Sequence, residues 1–411
     1  VLTPAEMAAV DAAAPEPVEV LIERAGAAVA QTALRMLGGG YGRRVVVLAG
    51  KGNNGNDGRS AAVRLRRRGA RVDVVAAEDR PARLPEADLV IDAAYGTGFH
   101  GEHEAPDVGD APVLAVDIPS GVSGLTGEAH GRVLAADRTV TFAALKPGLL
   151  LEPGRSLVGA VSVADIGLDV SGATAHVIEA ADVAAAVPPR PATAHKWSAA
   201  VMVVAGSPGM TGAAHLTAAA AQRAGAGMVR LATPGSVDDP RRPTEAVGLR
   251  LPDDGWAEAV SRELQRYRAL VVGPGLGTAP ATQGGVRILL GSAPVPAVVD
   301  GDGLTALSRD LDAVRDRVAA TVLTPHDGEY ARIMGAPPAA DRLAAARALA
   351  AEAGCVVLLK GPTTVVADPS GRVRIVTEGD ARLATAGTGD VLSGVIAALL
   401  ARGVAAFDAA A

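Results

Sequence analysis

Asp390 stands in "LATAGTGDVLSGVIAALLARG", where Val391, Leu392, Val395, Ile396, Leu399 and Leu400 recur at helical spacing. That spacing puts Gly387 to Asp390 at a helix start, where unpaired amides and the helix dipole favour an anion such as phosphate. An aspartate in that first turn is placed to take a proton from a hydroxyl attacking the phosphate; the plainer alternative is that Asp390 only caps its helix. A second chemical stretch is "GKGNNGNDGR", whose Gly50, Gly52 and Gly55 fall on the G-x-G-x-x-G spacing of a dinucleotide-binding turn. Asp73 follows about twenty residues later, inside the next strand-like run, where an acid can meet a ribose hydroxyl. Asn53, Asn54, Asn56 and Asp57 crowd the same turn with side-chain oxygens. Hard cations prefer such ligands, but asparagine also suits turns and helix caps, and the stretch alone does not choose.

These residues sit where strands end. "VIDAAYGTGFHGE" offers Asp92 and a glycine turn, and "VLAVDIPSGVSGLTGE" offers Asp117 and Ser120, so two carboxylates and a hydroxyl converge on the side of the asparagine turn. Strand-like runs alternate with alanine-rich helical stretches along the whole chain: "RVVVLAG", "RVDVVAA", "DLVIDAAYG", "PVLAVDIPSG", then "AVMVVAGS", "MVRLATP", "ALVVGPG", "PAVVDGD", "ATVLTPH" and "CVVLLKG". Nearly all end in Gly, Asp, Pro or His, as expected where the carboxyl ends of parallel strands open onto a site. The reading is α/β twice over, each domain a mostly parallel sheet covered by helices. With 411 residues there is enough chain for two domains, and the proline-rich "VPPRPATA" suggests the boundary: domain 1–175, linker 176–194, domain 195–411.

Aromatic residues supply only 2% of the chain, so both cores must be aliphatic, which suits parallel sheets. A net charge of −6, without an aromatic-studded basic stripe, gives no attraction to nucleic acid. The single cysteine, Cys355, excludes an intrachain disulfide and a multi-cysteine metal site, and its apolar run suits an inert buried thiol. The first residues lack a basic leader, and no stretch approaches the ~20 apolar residues of a bilayer span. A soluble cytoplasmic protein, without membrane or nucleic-acid partners and forming a homo-oligomer, is the expectation.

The first three motifs, followed by "ADRTVTFAALKPG", resemble the NAD(P)H-hydrate epimerase family over residues 1 to 170, which implies a Rossmann-like domain. The resemblance implies that Asn54, Asp92 and Ser120 hold potassium. It further implies that Asn53, Asn54, Gly55, Asn56, Asp57, Gly96, Thr97, Gly98, Phe99, His100, Gly101, Glu102 and Asp117 contact the hydrated nucleotide, with Asp117 as acid/base. The family usually carries glycine where Asn56 stands, a position expected to need left-handed backbone.

In the second half, "AGTGD" resembles the anion-hole motif of the ribokinase-like superfamily. "HKWSAAVMVVAGSPGMTGAA", "VVGPGLG", "VVDGDGL", "VLTPHDGEYARI", "LLKGPTTVV" and "LATAGTGDVLSG" together look like the ADP-dependent NAD(P)H-hydrate dehydratase family from about residue 195 onward. By that resemblance Lys360, Gly361, Pro362, Thr363, Thr364 and Gly389 bind ADP or AMP. Ala214, Gly275, His326 and Asp390 face the hydrate, with Asp390 as base and Mg2+ between the phosphates. By type alone, the default for His326 is a loop histidine bonded to a carbonyl, which its place in "TPH" at a strand end alters, and Lys360 beside glycine fits a solvated strand-end charge as well. Trp197 replaces the family's usual glycine after "HK", and the closing "ARGVAAFDAAA" is expected to leave apolar surface open unless something covers it.

Together the resemblances imply repair of NADHX and NADPHX: epimerisation of R and S forms by the first half, and ADP-dependent dehydration of the S form by the second. Two other readings stay open: a ribokinase-like vitamin-precursor kinase using ATP and fused to a passenger module, and a scaffold whose first half only binds partners.

Overall fold

The run "RVVVLA" forms an interior strand, next to the edge, of the first of two units in the computed structural model, which describes residues 1–235, 239, 241–308 and 310–411. Contacts divide the chain into Val1–Thr174 and Ala175–Ala411.

The first unit has strands β1 (Arg44–Ala49), β2 (Arg71–Ala76), β3 (Leu89–Ala93), β4 (His103–Glu104), β5 (Val113–Val116), β6 (Gly131–Arg132), β7 (Arg138–Phe142) and β8 (Ala160–Ala164). Its helices are α1 (Pro4–Ala12), α2 (Val18–Leu37), α3 (Asn53–Arg67) and α4 (Gly154–Leu157). Six strands make one parallel sheet in the order β2-β1-β3-β5-β7-β8, and β4 pairs only with β6. Val45 and Val47 face a core with Val29 and Ala33 of α2 and Ala61 and Leu65 of α3, while Val46 and Leu48 point into a second cluster on the other face. Burial of both faces explains why β1 reads as an unbroken aliphatic run. Helices α2 and α3 approach so closely that a Cβ on Gly26 would meet the Ser60 Cβ at 2.4 Å.

The second unit has strands β9 (Ala175–Val177), β10 (Ala200–Val204), β11 (Met228–Pro234), β12 (Val247–Leu251), β13 (Ala269–Val272), β14 (Ala297–Val299), β15 (Thr321–Leu323), β16 (Val356–Leu359), β17 (Thr364–Ala367) and β18 (Val373–Val376). Its helices are α5 (Ala180–Ala186), α6 (Gly212–Arg223), α7 (Trp256–Leu264), α8 (Pro280–Ser292), α9 (Asp302–Ala306), α10 (Asp312–Arg315), α11 (Asp327–Met334), α12 (Arg342–Ala353), α13 (Thr388–Ala401) and α14 (Ala406–Ala410). The sheet order is β12-β11-β10-β13-β14-β15-β16-β17-β18-β9, parallel from β12 to β16, with β17 antiparallel to both neighbours.

The stretch expected to be a linker from 176 to 194 differs from that expectation. Ala175–Val177 pairs parallel with β18, and Ala180–Ala186 is helical, because β18 offers a free row of backbone groups that the incoming chain satisfies. Both units are α/β with helices over mostly parallel sheets, as the strand-helix alternation implied. Helix α13 starts where expected, and of its recurring aliphatics Ile396 and Leu400 are core residues with Leu392 and Leu399 packed against them. Ser393, Gly394, Ala397, Ala398 and Ala401 are buried with Ile396 and Leu400, while Val391 is exposed, because α13 packs against α6 at close range. A Cβ on Gly394 would stand 2.3 Å from the Thr217 carbonyl oxygen, so small residues set that contact.

Trp197 packs edge-on against Tyr267 with centroids 5.7 Å apart, and the Arg266 guanidinium lies 4.3 Å from its centroid, so the indole has its own seat. In the closing segment Phe407 is buried, with Arg372 above its ring at 4.9 Å. Cys355 is buried and its thiol is pushed up to about 12 by burial, the inert form. No helix of the described residues is long and apolar enough to cross a membrane.

Candidate functional site

In the first unit α3 begins at Asn53, directly after the N-cap Gly52, so Asn53 to Asp57 are its first turns and not a preceding loop. The glycines serve close backbone packing. A Cβ on Gly50 would lie 1.9 Å from the Ala94 carbonyl oxygen, and one on Gly55 1.9 Å from that of Gly50. Asn56 is helical, which removes the expected need for left-handed backbone; its Oδ1 accepts from Arg59 at 3.4 Å. Asp73 is exposed in mid-strand on edge strand β2, short of the carboxyl end, and is not part of the cluster described next.

Asp92, at the end of β3, is fully buried: Oδ2 accepts the Ser120 amide at 2.8 Å and Oδ1 the Ser120 hydroxyl at 2.6 Å. Ser120 Oγ in turn accepts the Tyr95 amide at 2.9 Å. No cationic side chain forms an ion pair with Asp92 among the described residues; His103 is near enough to feel its charge, but burial holds that imidazole below the usual range. Both amide atoms of Asn54 are buried without a hydrogen-bond partner. A Cβ on Gly96 would stand 3.5 Å from the Asn54 Cβ and 3.6 Å from Asp117 Oδ2, so Asn54 and Asp117 flank the same point. Thr97 and Phe99 are half-buried, Phe99 against Tyr95 with centroids 4.5 Å apart, whereas Asn53, Gly98, His100, Gly101 and Glu102 are exposed.

Asp117 follows β5 with φ +67°, a left-handed conformation costing on the order of 1 kcal/mol, which a surrounding network must hold in place. Lys146 supplies it. Its ammonium, only 1% exposed, donates to Asp117 Oδ1 at 2.6 Å, Thr141 Oγ1 at 2.9 Å and the Phe142 carbonyl at 3.0 Å. Asp57 is buried on α3, and burial, reinforced by the charges of Asp117 and Asp11, pushes its carboxyl up to about 8. Burial also raises Asp11 on α1, with Lys146 opposing and Asp117 adding to the rise. Three carboxyls and one lysine thus share a neighbourhood. Sequence reasoning quoted "AALKPG" without singling out Lys146, and nothing in the sequence marked Asp11.

In the second unit the site gathers at the carboxyl ends of β10 and β13 to β16. Gly273 must be glycine: φ is +128°, and a Cβ there would lie 1.9 Å from the Asp300 carbonyl oxygen. Asp300, buried at the end of β14, receives Lys360 Nζ on Oδ1 at 2.8 Å and the Ser393 hydroxyl on Oδ2 at 2.9 Å. Lys360 Nζ also lies 3.5 Å from Glu329 Oε2. Burial alone would lower the Lys360 ammonium, but Asp300 and Glu329 outweigh it and raise it. A Cβ on Gly389 would stand 3.5 Å from both Asp300 Oδ2 and Lys360 Nζ, so the tip of α13 touches the ion pair. Asp390, in the first turn of α13, is half-buried; burial and then Asp300 raise its carboxyl, against Lys360. Asp390 makes no cap bond, since Gly387 is the N-cap.

His326 caps α11: Nδ1 accepts the amides of Gly328 at 3.0 Å and Glu329 at 3.3 Å. With Nδ1 accepting, the hydrogen belongs on Nε2, which lies 3.6 Å from Glu329 Oε2 on a side chain 53% exposed. Gly275 is half-buried at φ +65° beside the head of α6. Ala214, in the first turn of α6, is fully buried, its methyl under Gly206. Gly361 and Pro362 are exposed, Thr363 buried and Thr364 half-buried at the start of β17. Asp300, Glu329 and Ser393 belong to the cluster although sequence reading had not singled them out; "VVDGDG" and "HDGEY" carried the signal of acids at strand and helix ends. No group of three or more His, Cys, Asp or Glu side chains is arranged to hold a metal by itself among the described residues.

One unit gathers three carboxyls around a buried lysine, and the other sets a helix tip beside a buried ion pair; two such clusters of acids and a lysine at strand and helix ends are the arrangement of an enzyme. A family model described as NAD(P)H-hydrate dehydratase matches residues 201–411, and one described as YjeF-related protein N-terminus matches residues 18–85 and 76–148. The bifunctional NAD(P)H-hydrate repair enzyme Nnr of Moorella thermoacetica is 38% identical over 468 residues, 98% of this chain and 88% of that protein. The Mycobacterium tuberculosis enzyme of the same name is 41% identical over 401 residues, 91% of this chain and 82% of that one. A crystal structure of the ADP/ATP-dependent NAD(P)H-hydrate dehydratase from Bacillus subtilis, with ATP/Mg2+, is 32% identical at a TM-score of 0.49, covering 56% of this chain and 82% of that one. The chain belongs to the family of bifunctional NAD(P)H-hydrate repair enzymes.

Proposed function

We propose that the chain returns hydrated NADH and NADPH to the intact cofactors. The first unit interconverts R and S epimers, and the second dehydrates the S epimer with ADP, releasing AMP and phosphate. The observation that carries the reading is the meeting of Asp390, Gly389, Asp300 and Lys360 at the tip of α13.

The carbon that inverts in the epimerisation bears a hydroxyl and a ring nitrogen. Protonating the hydroxyl lets it leave as water with help from the nitrogen electron pair, and water then returns to either face. Asp57, holding its proton near neutrality, is the acid, and Asp117, paired with Lys146, is the carboxylate that guides the water. A potassium ion fits beside them: Asp92 is a fully buried carboxylate without an ion-paired side chain among the described residues, and the Asn54 amide is unpartnered. Asn54, Asp92 and Ser120 would hold it. Once bound it supplies the positive charge that Asp92 lacks.

In the second unit Asp390 takes the proton of the substrate hydroxyl. That oxygen bonds to the terminal phosphorus of ADP as the bridge to the inner phosphate breaks, and AMP leaves. The carbon–oxygen bond then breaks, phosphate departs with the electron pair, and loss of a proton from the adjacent carbon restores the ring. Amides at Gly387 to Gly389 suit the transferred phosphoryl group, and the segment from Lys360 to Thr364 suits the nucleotide. Asp300 and Glu329 carry oxygen donors of the kind Mg2+ takes alongside phosphates, and they would hold it; Mg2+ when bound neutralises charge between the phosphates.

Incubating the purified chain with mixed epimers and either ADP or ATP, while following the reduced-nicotinamide absorbance, tests this. Full recovery is expected with the true donor. Recovery of one epimer only, with the rest following at the spontaneous rate, removes the epimerase assignment, and no recovery with either donor removes the dehydratase assignment.

A further inference from the structure

Lys360 follows β16, and each of its polar groups is held. Its amide donates to the Pro325 carbonyl at 2.8 Å, its ammonium reaches Asp300 and Glu329, and its carbonyl accepts Arg342 Nη2 at 2.9 Å. Arg342 is the first residue of α12, whose start is fixed by the N-cap Asp341, the carboxylate accepting the Ala344 amide at 2.9 Å. From there the guanidinium forks onto Asp327 in the first turn of α11, with Nη1 donating to Oδ2 at 3.2 Å and Nη2 lying 3.0 Å from Oδ1. The second hydrogen of Nη2 serves the Lys360 carbonyl. One arginine thus ties α12, α11 and the exit of β16 together.

That grip sets the plane of one peptide group. The Lys360–Gly361 bond is trans, so the Gly361 N–H points opposite to the carbonyl that Arg342 holds. A Cβ on Gly361 would stand 2.8 Å from Arg342 Nη2, so the missing side chain is what lets the guanidinium lie against the chain here. Gly361 and Pro362 are exposed, and the Gly361 amide donates to no acceptor among the described residues. Pro362 has no N–H, which leaves Gly361 as the exposed backbone donor of the turn into β17. A free amide therefore faces outward on the segment read to meet ADP, and Arg342 aims it.

We propose that Arg342 is a positioning residue for dehydration: by fixing the Lys360–Gly361 peptide it turns the Gly361 amide toward a phosphate of ADP. The proposal rests on the dehydratase reading and adds to it a residue that acts on the nucleotide without touching it. His326 keeps its own cap bonds to the Gly328 and Glu329 amides whether or not Asp327 is paired. Binding of ADP therefore depends on Arg342, and binding of the hydrate does not.

Steady-state dehydration of S-NADHX by the full chain, with ADP and hydrate varied in turn, tests this in Arg342→Ala. Asp327 is 58% exposed, so the substitution leaves no buried charge behind and the variant folds. Loss of one amide–phosphate hydrogen bond raises KM for ADP about tenfold, while kcat and KM for S-NADHX stay within about threefold of wild type. Asp327→Ala, which releases the fork, raises the same KM by less, and adding it to Arg342→Ala brings no further rise. Hydrogen exchange without nucleotide reads the positioning directly: the Lys360 amide exchanges faster in Arg342→Ala, and the amides of α13 do not. That comparison needs no turnover, so it tells failure of this proposal from failure of the dehydratase reading. A KM for ADP within twofold of wild type, equal rises for ADP and hydrate, additive effects in the double variant, or unchanged exchange at Lys360 overturns the proposal.

Discussion

Replacing Asp57 with asparagine keeps the shape of the side chain and removes the one proton whose position matters most in the first unit. The carboxyl is 7% exposed, has no cationic partner among the described residues, and titrates near about 8 because of burial and the charges of Asp117 and Asp11. Unfolded, the same group titrates at 3.8. Folding thus raises its pKa, so its contribution to stability is complete below the unfolded value and is lost as pH climbs from there through the folded value. A gap of about 4 pH units corresponds to on the order of 5 kcal/mol at the top of that window. Asp57→Asn cannot ionise and escapes the loss, so at pH 9 it unfolds at higher urea than wild type, while at pH 4 the two coincide. Hydrogen exchange across residues 44–67 during the urea series localises the effect to β1 and α3.

The same proton governs rate. The wild-type acid is about 90% protonated at pH 7 and about 10% at pH 9, so epimer interconversion falls about tenfold across that interval, and the asparagine variant loses ~10²–10⁴-fold at pH 7. An epimerisation rate flat from pH 7 to 9, or a variant within threefold of wild type, refutes the assignment of Asp57 as the acid.

Lys146→Met, which leaves Asp117 without its counter-charge, lowers the unfolding free energy of the first unit by about 3–5 kcal/mol, read by calorimetry, and abolishes epimerisation while sparing dehydration of the pure S epimer. Asp390→Asn slows dehydration by ~10²–10⁴-fold with ADP affinity retained in equilibrium dialysis and epimerisation intact. Gly55→Ala drives a methyl into the Gly50 carbonyl and costs several kcal/mol, whereas Gly98→Ala, with no atom within 4 Å of the new methyl, leaves the thermal midpoint unmoved.

Much of the parallel framework was legible because strands buried on both faces read as aliphatic runs; β1, β3, β10 and β16 are such cases. Strands β9 and β12 were not, since an edge strand of mixed burial carries no such run. The packing of α13 was only half legible for a related reason: counting large aliphatics finds a helix, but a close helix pair buries small residues as well. Of the site, Asp117 and Asp390 were visible as acids at strand and helix ends. Their partners were hidden by distance along the chain. Lys146 lies 29 residues from Asp117, Lys360 lies 60 from Asp300, and Ser393 lies 93 from the same carboxylate. Only the folded sheet brings such groups within hydrogen-bond reach.

Strand β9 has a practical meaning for anyone wishing to express the second unit alone. A fragment starting at residue 195, after the proline-rich stretch, would strip Ala175–Val177 from β18 and leave a bare row of amides and carbonyls, inviting two such fragments to zip together through that rim. Starting at Ala175 keeps the rim closed, so the natural cut precedes the prolines by about as many residues as the cover strand and its following helix occupy.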